Sequence, residues 1–228
     1  GDMAKAKMAA LRECLQTLPE KSQAMIKARY EENASAPDIA EQLEKDGYFY
    51  SRKGRWSVSQ KKVEAMEVWR DLVDGQAIGI GRVRKLYEAV PKMGAFAAVR
   101  RGATTLLDAA GSEDLLTYDM LVKEFGLIAP RDTHPMDVIK MSEEEKIYIR
   151  AIERRGENIY QEPRIKISTI HAMKGGEDDN VAVYLGSTKN CVEGKHPEDE
   201  HRIFYVAVTR CKENLYLIES DKSYRYEI

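Results

Sequence analysis

Ile165-Lys166-Ile167-Ser168-Thr169-Ile170-His171-Ala172-Met173-Lys174-Gly175-Gly176-Glu177 begins with apolar and polar residues in alternation and ends on two glycines and a carboxylate. Alternation at 165–169 is the period of a strand, and the glycines mark a turn. Val181-Ala182-Val183-Tyr184-Leu185 then runs without a polar break, the pattern of a parallel strand covered on both faces. Residues 198–212 repeat at helical spacing, with Phe204, Ala207, Val208 and Cys211 on one face that should bury against a sheet. Leu215-Tyr216-Leu217-Ile218 reads as a further buried strand. Strand, strand, helix and strand in about sixty residues predict half of an α/β domain.

Upstream of this segment the helical period prevails. Residues 4–46 read as helices: Leu11, Cys14, Leu15 and Leu18 recur at helical spacing before Pro19. Asp38 with Glu41 is a capping-box pair opening a helix through Ile39, Ala40 and Leu43, which Gly47 ends. Tyr48-Phe49-Tyr50 is a short strand followed by the basic turn Arg52-Lys53-Gly54-Arg55. Ser57 or Ser59 caps the next helix, whose stripe is Val63, Met66, Trp69, Leu72 and Val73, with Gly75 as the stop. Short helices follow over 80–128, then a linker from Pro130 to Pro135. Ser142 and Glu145 form a second capping box before a helix with Ile147, Ala151 and Ile152 on one side. The predicted organisation is a helical segment over 1–46, a mostly helical subdomain over 47–160 and an α/β region over 161–228.

Composition sets bounds without naming a partner. Lys plus Arg is 36 and Asp plus Glu is 38 among 228 residues, so a net charge of −2 leaves any nucleic-acid grip to one local groove. A hydrophobic content of 43% is enough for a packed core. Cys14, Cys191 and Cys211 are odd in number and scattered, which gives no disulfide framework and predicts a reducing, cytoplasmic setting. No apolar run has membrane length, so no membrane association is expected. Cys191, His196 and His201 match no familiar metal spacing, and no metal site is assigned to the chain.

Two segments carry chemistry. The first is Thr169-Ile170-His171-Ala172-Met173-Lys174-Gly175-Gly176-Glu177, and the second is Asp199-Glu200-His201-Arg202-Ile203-Phe204-Tyr205-Val206-Ala207-Val208-Thr209-Arg210-Cys211-Lys212. In that order they resemble motifs V and VI of superfamily-1 DNA helicases of the UvrD/Rep type. The resemblance is firm over about 160–228 and implies the C-terminal RecA-like domain, a parallel sheet with a helical insertion between roughly 75 and 160. Gly176 and Asp178 depart from the usual apolar and aromatic residues, as in phage-type members. The resemblance implies that Arg210 reaches the γ-phosphate of ATP, and a helical wheel sets it roughly 120° from the buried face, free to act as an arginine finger. It implies that Glu177, behind Gly175 and Gly176, holds the ribose. It implies that Thr169, His171 and Lys174 touch the DNA backbone or couple it to the nucleotide. Read alone, Arg210 is a helix C-terminal cation, Gly-Gly-Glu a solvated turn and His171 a surface residue.

Two readings stay open near the N-terminus. Met25-Ile26-Lys27-Ala28-Arg29, the helix at Ile39–Leu43 and Gly47-Tyr48-Phe49-Tyr50 resemble helicase motif IV, in which Arg29 also reaches the γ-phosphate. Residues 8–45, from Leu11 through Arg29-Tyr30, Ser35 and Leu43, also resemble region 4 of an extracytoplasmic-function sigma factor, a helix-turn-helix. That would make the chain a non-enzymatic DNA-binding regulator and give Arg29 no role at ATP. Aromatic and basic residues interleave from Tyr48 to Trp56, which suits single-stranded DNA, or else is a strand with a basic turn.

No phosphate-binding Gly-x-x-x-x-Gly-Lys-Ser/Thr loop occurs, and Gly79-Ile80-Gly81 lacks the third glycine of a dinucleotide fingerprint. ATP and Mg2+ are therefore expected only together with an N-terminal RecA-like helicase domain, and single-stranded DNA is the expected second partner. A helicase remnant serving as an interaction module is a further alternative.

Overall fold

The computed structural model describes residues 24–28, 36–108, 110–111, 114–173, 176–186, 197–218 and 226. The chain divides into a sheet unit (residues 1–57 and 162–228) and a helical unit (58–161). The sheet unit thus takes in the chain up to residue 57, where the sequence reading began a helical subdomain at 47.

Six strands make the sheet: β1 (Ala24–Ala28), β2 (Tyr50–Arg52), β3 (Arg55–Trp56), and, beyond the helical unit with its short β4 (Ile78–Gly79) and β5 (Leu115–Leu116), β6 (Ile165–Thr169), β7 (Asp178–Tyr184) and β8 (Cys211–Ile218). Their order is β3-β2-β6-β1-β7-β8. All neighbours run parallel except the β2–β3 hairpin. β1 corrects the expectation of helices throughout 4–46. Its five residues are held by ladders to β6 and β7, more than a hundred residues away, which no local pattern announces. A strand at this place is what the resemblance to motif IV implies. The helix at Leu11–Leu18 and the residues Arg29, Tyr30 and Ser35 lie outside the described residues.

Helix α1 (Ala36–Lys45) lies on one face of this sheet. Ile39, Ala40 and Leu43 bury against Tyr48, Tyr50, Ile165, Ile167 and Ala182. Gly47 at φ 73° ends the helix: its N–H bonds to Glu44 O at 3.0 Å and the next N–H to Leu43 O at 2.8 Å, a Schellman closure. The opposite face buries Val181, Val183 and Leu185 with Ile170, Phe204 and Ala207. The last two belong to the helix Pro197–Val208, the last among the described residues. Alternate residues of β7 therefore face opposite layers, which is why Val181–Tyr184 is apolar without a break, whereas the strand opens on the polar Asp178, Asp179 and Asn180. The fold is α/β with a mostly parallel sheet, as expected for a RecA-like domain.

The helical unit contains α2 (Gln60–Val73), α3 (Ile80–Ala89), α4 (Ala103–Leu107), α5 (Tyr118–Lys123), α6 (Pro135–Val138) and α7 (Glu143–Arg154); the helix Pro197–Val208 is α8. Val63, Met66, Trp69 and Leu72 are buried as predicted, and Trp69 Nε1 donates to Thr133 O at 2.9 Å. Tyr87 donates its hydroxyl to Phe125 O at 3.1 Å, and burial pushes its pKa up. The capping box at α7 forms in full: Glu145 N donates to Ser142 Oγ at 3.2 Å and Ser142 N to Glu145 Oε2 at 2.9 Å. Glu145 also accepts from Lys62 Nζ at 2.7 Å. The buried side of α7 is Tyr148, Ile149 and Ile152, whereas Ile147 is 59% exposed and not on the core face. Among the described residues no helix is long and apolar enough to cross a membrane.

Candidate functional site at the two edges of the sheet

The register of the parallel strands sorts the predicted site residues to two opposite edges. Thr169, the last residue of β6, stands beside Ala28, the last of β1. Ala24 stands beside Asn180, so Asp178 at the start of β7 lies two residues below the start of β1. At ~3.3 Å per residue the level of Thr169 and the level of Asp178 are separated by about 20 Å. Residues 170–177 bridge that distance and pass β1, which lies between β6 and β7. Most parallel crossovers take a dozen residues or more and a helix. Here the crossover is short, and its described residues include a 3-10 turn at His171–Met173.

At the upper edge, Thr169 Oγ1 accepts from Ala172 N at 3.2 Å and fixes the start of that turn. Ile170 is buried and pins the connection to the core beneath α8. His171 and Ala172 are thereby left exposed at the strand end. Lys174 and Gly175 lie outside the described residues. Arg29 does too, though Ala28 before it ends β1 at this edge and not at the edge of Arg210.

At the lower edge, Gly176 is half-buried and Glu177 exposed, with Lys212 Nζ 4.0 Å from Glu177 Oε2. Asp178 N donates to Arg210 O at 3.1 Å, which ties the start of β7 to the turn before β8. Helix α8 ends at Val208, not at 212. Thr209 closes it by donating its hydroxyl to Tyr205 O at 2.8 Å, and Cys211 already belongs to β8. The helical-wheel placement of Arg210 therefore does not hold: Arg210 sits on the turn between α8 and β8. Phe204 and Ala207 are buried as predicted, Val208 only partly, and Cys211 from the strand side. β8 is an edge strand, and Leu215 and Leu217 are 40% and 41% exposed, contrary to the expectation of a buried strand.

Arg210 has one buried nitrogen that its own surroundings leave unsatisfied. Its Nη2 lies 3.4 Å from Thr209 Oγ1, but its Nε is buried and finds no hydrogen-bond partner. No carboxylate pairs with it among the described residues, whereas Arg202 on the preceding helix pairs with Asp199 at 3.2 Å. An unsatisfied buried donor costs about 1–3 kcal/mol, more when charged.

The sequence reading passed over the Asn180–Asn214 pair. Asn214 Nδ2 donates to Asn180 Oδ1 at 2.9 Å between register partners of β7 and β8. Its signal was a lone Asn at the head of an apolar run. Among the described residues no group of three or more His, Cys, Asp or Glu is placed to hold a metal ion; Cys191 and His196 lie outside them.

Residues 132–222 match the family model of the UvrD-like helicase C-terminal domain. That stretch of the chain is similar to a UvrD-like helicase C-terminal domain. The match takes in β6, the crossover, β7, α8 and β8, hence both edges just described, and it begins within the helical unit. No curated protein matches the chain.

Proposed function

We propose that this UvrD-like domain serves an ATP-dependent DNA helicase or translocase, completing an inter-domain ATP site with its lower edge and gripping single-stranded DNA with its upper edge. The observation that carries the reading is Arg210, a half-buried arginine whose Nε has no partner, on the same edge as the exposed carboxylate of Glu177. A neighbouring phosphoryl group would satisfy that guanidinium, and Glu177 suits a ribose hydroxyl. Bound between this edge and an N-terminal RecA-like domain with the phosphate-binding loop, ATP with Mg2+ would supply the energy of phosphoryl transfer.

The chain's own part is positional. Arg210 stabilises charge developing on the transferred group, as a finger does. Thr169, His171 and Lys174 contact the DNA backbone, and Arg29 serves the phosphate only if closure brings the upper edge to it. The crossover 170–177 joins the two grips through eight residues pinned by Ile170, so movement at one end is passed to the other.

The test uses the purified chain with and without a domain carrying the phosphate-binding loop. The chain alone should show background ATPase and bind oligo(dT) weakly, with affinity falling as salt rises and varying little with sequence. Turnover by the chain alone, or tight salt-insensitive binding to one duplex sequence, contradicts the proposal.

A further inference from the structure

The ladder between β7 and β8 breaks step once, and it does so next to Arg210. Asp178 stands beside Cys211, but two residues further along β7 Asn180 stands beside Asn214, three residues further along β8. β8 therefore carries one extra residue within Lys212-Glu213, a β-bulge. Bulges are rare in parallel pairs, and they gather at sheet edges and beside sites where a side chain must be re-aimed. β8 lies at such an edge.

The extra residue changes the height of Arg210. From Val181 beside Leu215 to Tyr184 beside Ile218 the two strands keep step. Continued downward at that step, Lys212 would stand beside Asp178 and Arg210 would fall at the level of Gly176. With the bulge, Cys211 stands beside Asp178, and Arg210 rises by one residue, about 3.3 Å, to the level of Glu177. The bond from Asp178 N to Arg210 O at 3.1 Å holds it there. The arginine and the carboxylate proposed for the nucleotide are level because β8 is bulged.

Two side-chain contacts fix the bulge. Above it, Asn214 Nδ2 donates to Asn180 Oδ1 at 2.9 Å, and Asn180 is 1% exposed, so the bond is shielded from water. Across it, Cys211 Sγ donates to Asp179 O at 3.7 Å. Asp179 is the β7 residue without a register partner on β8. A slip by one residue would set Glu213 or Leu215 beside Asn180 and forfeit the amide bond.

We infer that Asn180 and Asn214 are positioning residues for Arg210: by locking the β8 bulge they set the height at which its guanidinium meets a phosphoryl group. The inference rests on the lower edge as the nucleotide side. Both asparagines act through the backbone of residues 209–211.

The experiment measures kcat and KM for ATP in the helicase containing this domain. Deletion of Glu213 removes the extra residue and should lower kcat as far as Arg210→Ala does, because a drop of about 3.3 Å takes the guanidinium out of reach. Glu213→Ala keeps the residue count and should leave kcat unchanged. Asn214→Ala, at an exposed position, loosens the bulge and should lower kcat about a hundredfold, the scale of a misplacement near 1 Å. KM should stay nearly constant, because the loss falls on the transition state. In the Arg210→Ala background, Asn214→Ala should lower kcat no further. If the deletion prevents folding, the Asn214→Ala pair of backgrounds decides. Normal kcat in Asn214→Ala, beside a collapsed kcat in Arg210→Ala, overturns the positioning role and leaves Arg210 standing. An equal fall in both backgrounds also overturns it, since the loss then does not pass through Arg210. Normal kcat in Arg210→Ala overturns the nucleotide reading of the lower edge and the inference with it.

Discussion

The two edges of the sheet differ in the charge they offer and in how that charge is held. The upper edge shows Thr169 at the end of β6 and His171 of the crossover beside a hairpin of facing cations; His171, Lys53 and Arg55 are exposed, Thr169 and Arg52 half-buried. The lower edge carries an exposed carboxylate, Glu177, with Lys212 4.0 Å away, and an arginine, Arg210, whose Nε is buried without a partner. Exposed cations suit a chain of phosphates that slides and exchanges. A desolvated donor suits one phosphoryl group that must be met in a fixed geometry. One parallel sheet keeps these two environments about 20 Å apart, and the short crossover 170–177 spans the gap.

The largest expected effect would break or confirm the lower edge. In the helicase containing this domain, Arg210→Ala should lower ATP hydrolysis by roughly three to five orders of magnitude while sparing DNA affinity and melting temperature. Arg210→Lys should recover little, because a point charge lacks the planar fork. If Arg210 only complements the end of α8, the alanine variant should lose about 0.3–1 kcal/mol and keep its kcat, with lysine equivalent to arginine. Steady-state kcat and a thermal melt on both variants distinguish the two outcomes.

A smaller effect sharpens the comparison from outside it. Glu145 in the helical unit serves α7 and Lys62 and neither edge. Burial pushes its carboxyl up, but the Lys62 hydrogen bond, the Ser142 backbone and the Lys62 charge outweigh this and hold it below the ordinary 4.5. Because the folded pKa is lowered, its stabilisation is present above about pH 4.5 and fades as pH falls through the folded value. Glu145→Ala should cost about 1–2 kcal/mol at pH 7, mostly from the lost cap because the partly exposed ion pair is screened. The melting temperature should fall roughly 3–6 °C. The difference from wild type should narrow below pH 4, and DNA binding should not change. Melts at pH 3.5 and 7 check this.

Local pattern revealed what local pattern determines. β6, β7 and the α7 capping box follow from alternation, a continuous apolar run and a Ser-x-x-Glu spacing, and all three are present. Periodicity does not show Ala24–Ala28 as a strand, because its ladder partners are distant in sequence; only the resemblance to motif IV implies a strand there. The end of α8 was read four residues too late: the apolar face continues to Cys211, but the Thr209 hydroxyl and the Asp178–Arg210 bond turn the chain into β8 first. Leu215 and Leu217 looked buried because apolarity does not tell an edge strand from a central one. The motif residues were legible one by one, whereas their division between two edges needed the register.

That division is tested most directly by hydrogen exchange on the full chain, with and without saturating oligo(dT). The account predicts slower exchange over 50–56 and 168–172 and unchanged exchange over 209–213. Protection centred on 209–213, with none at the hairpin or at the end of β6, would contradict it.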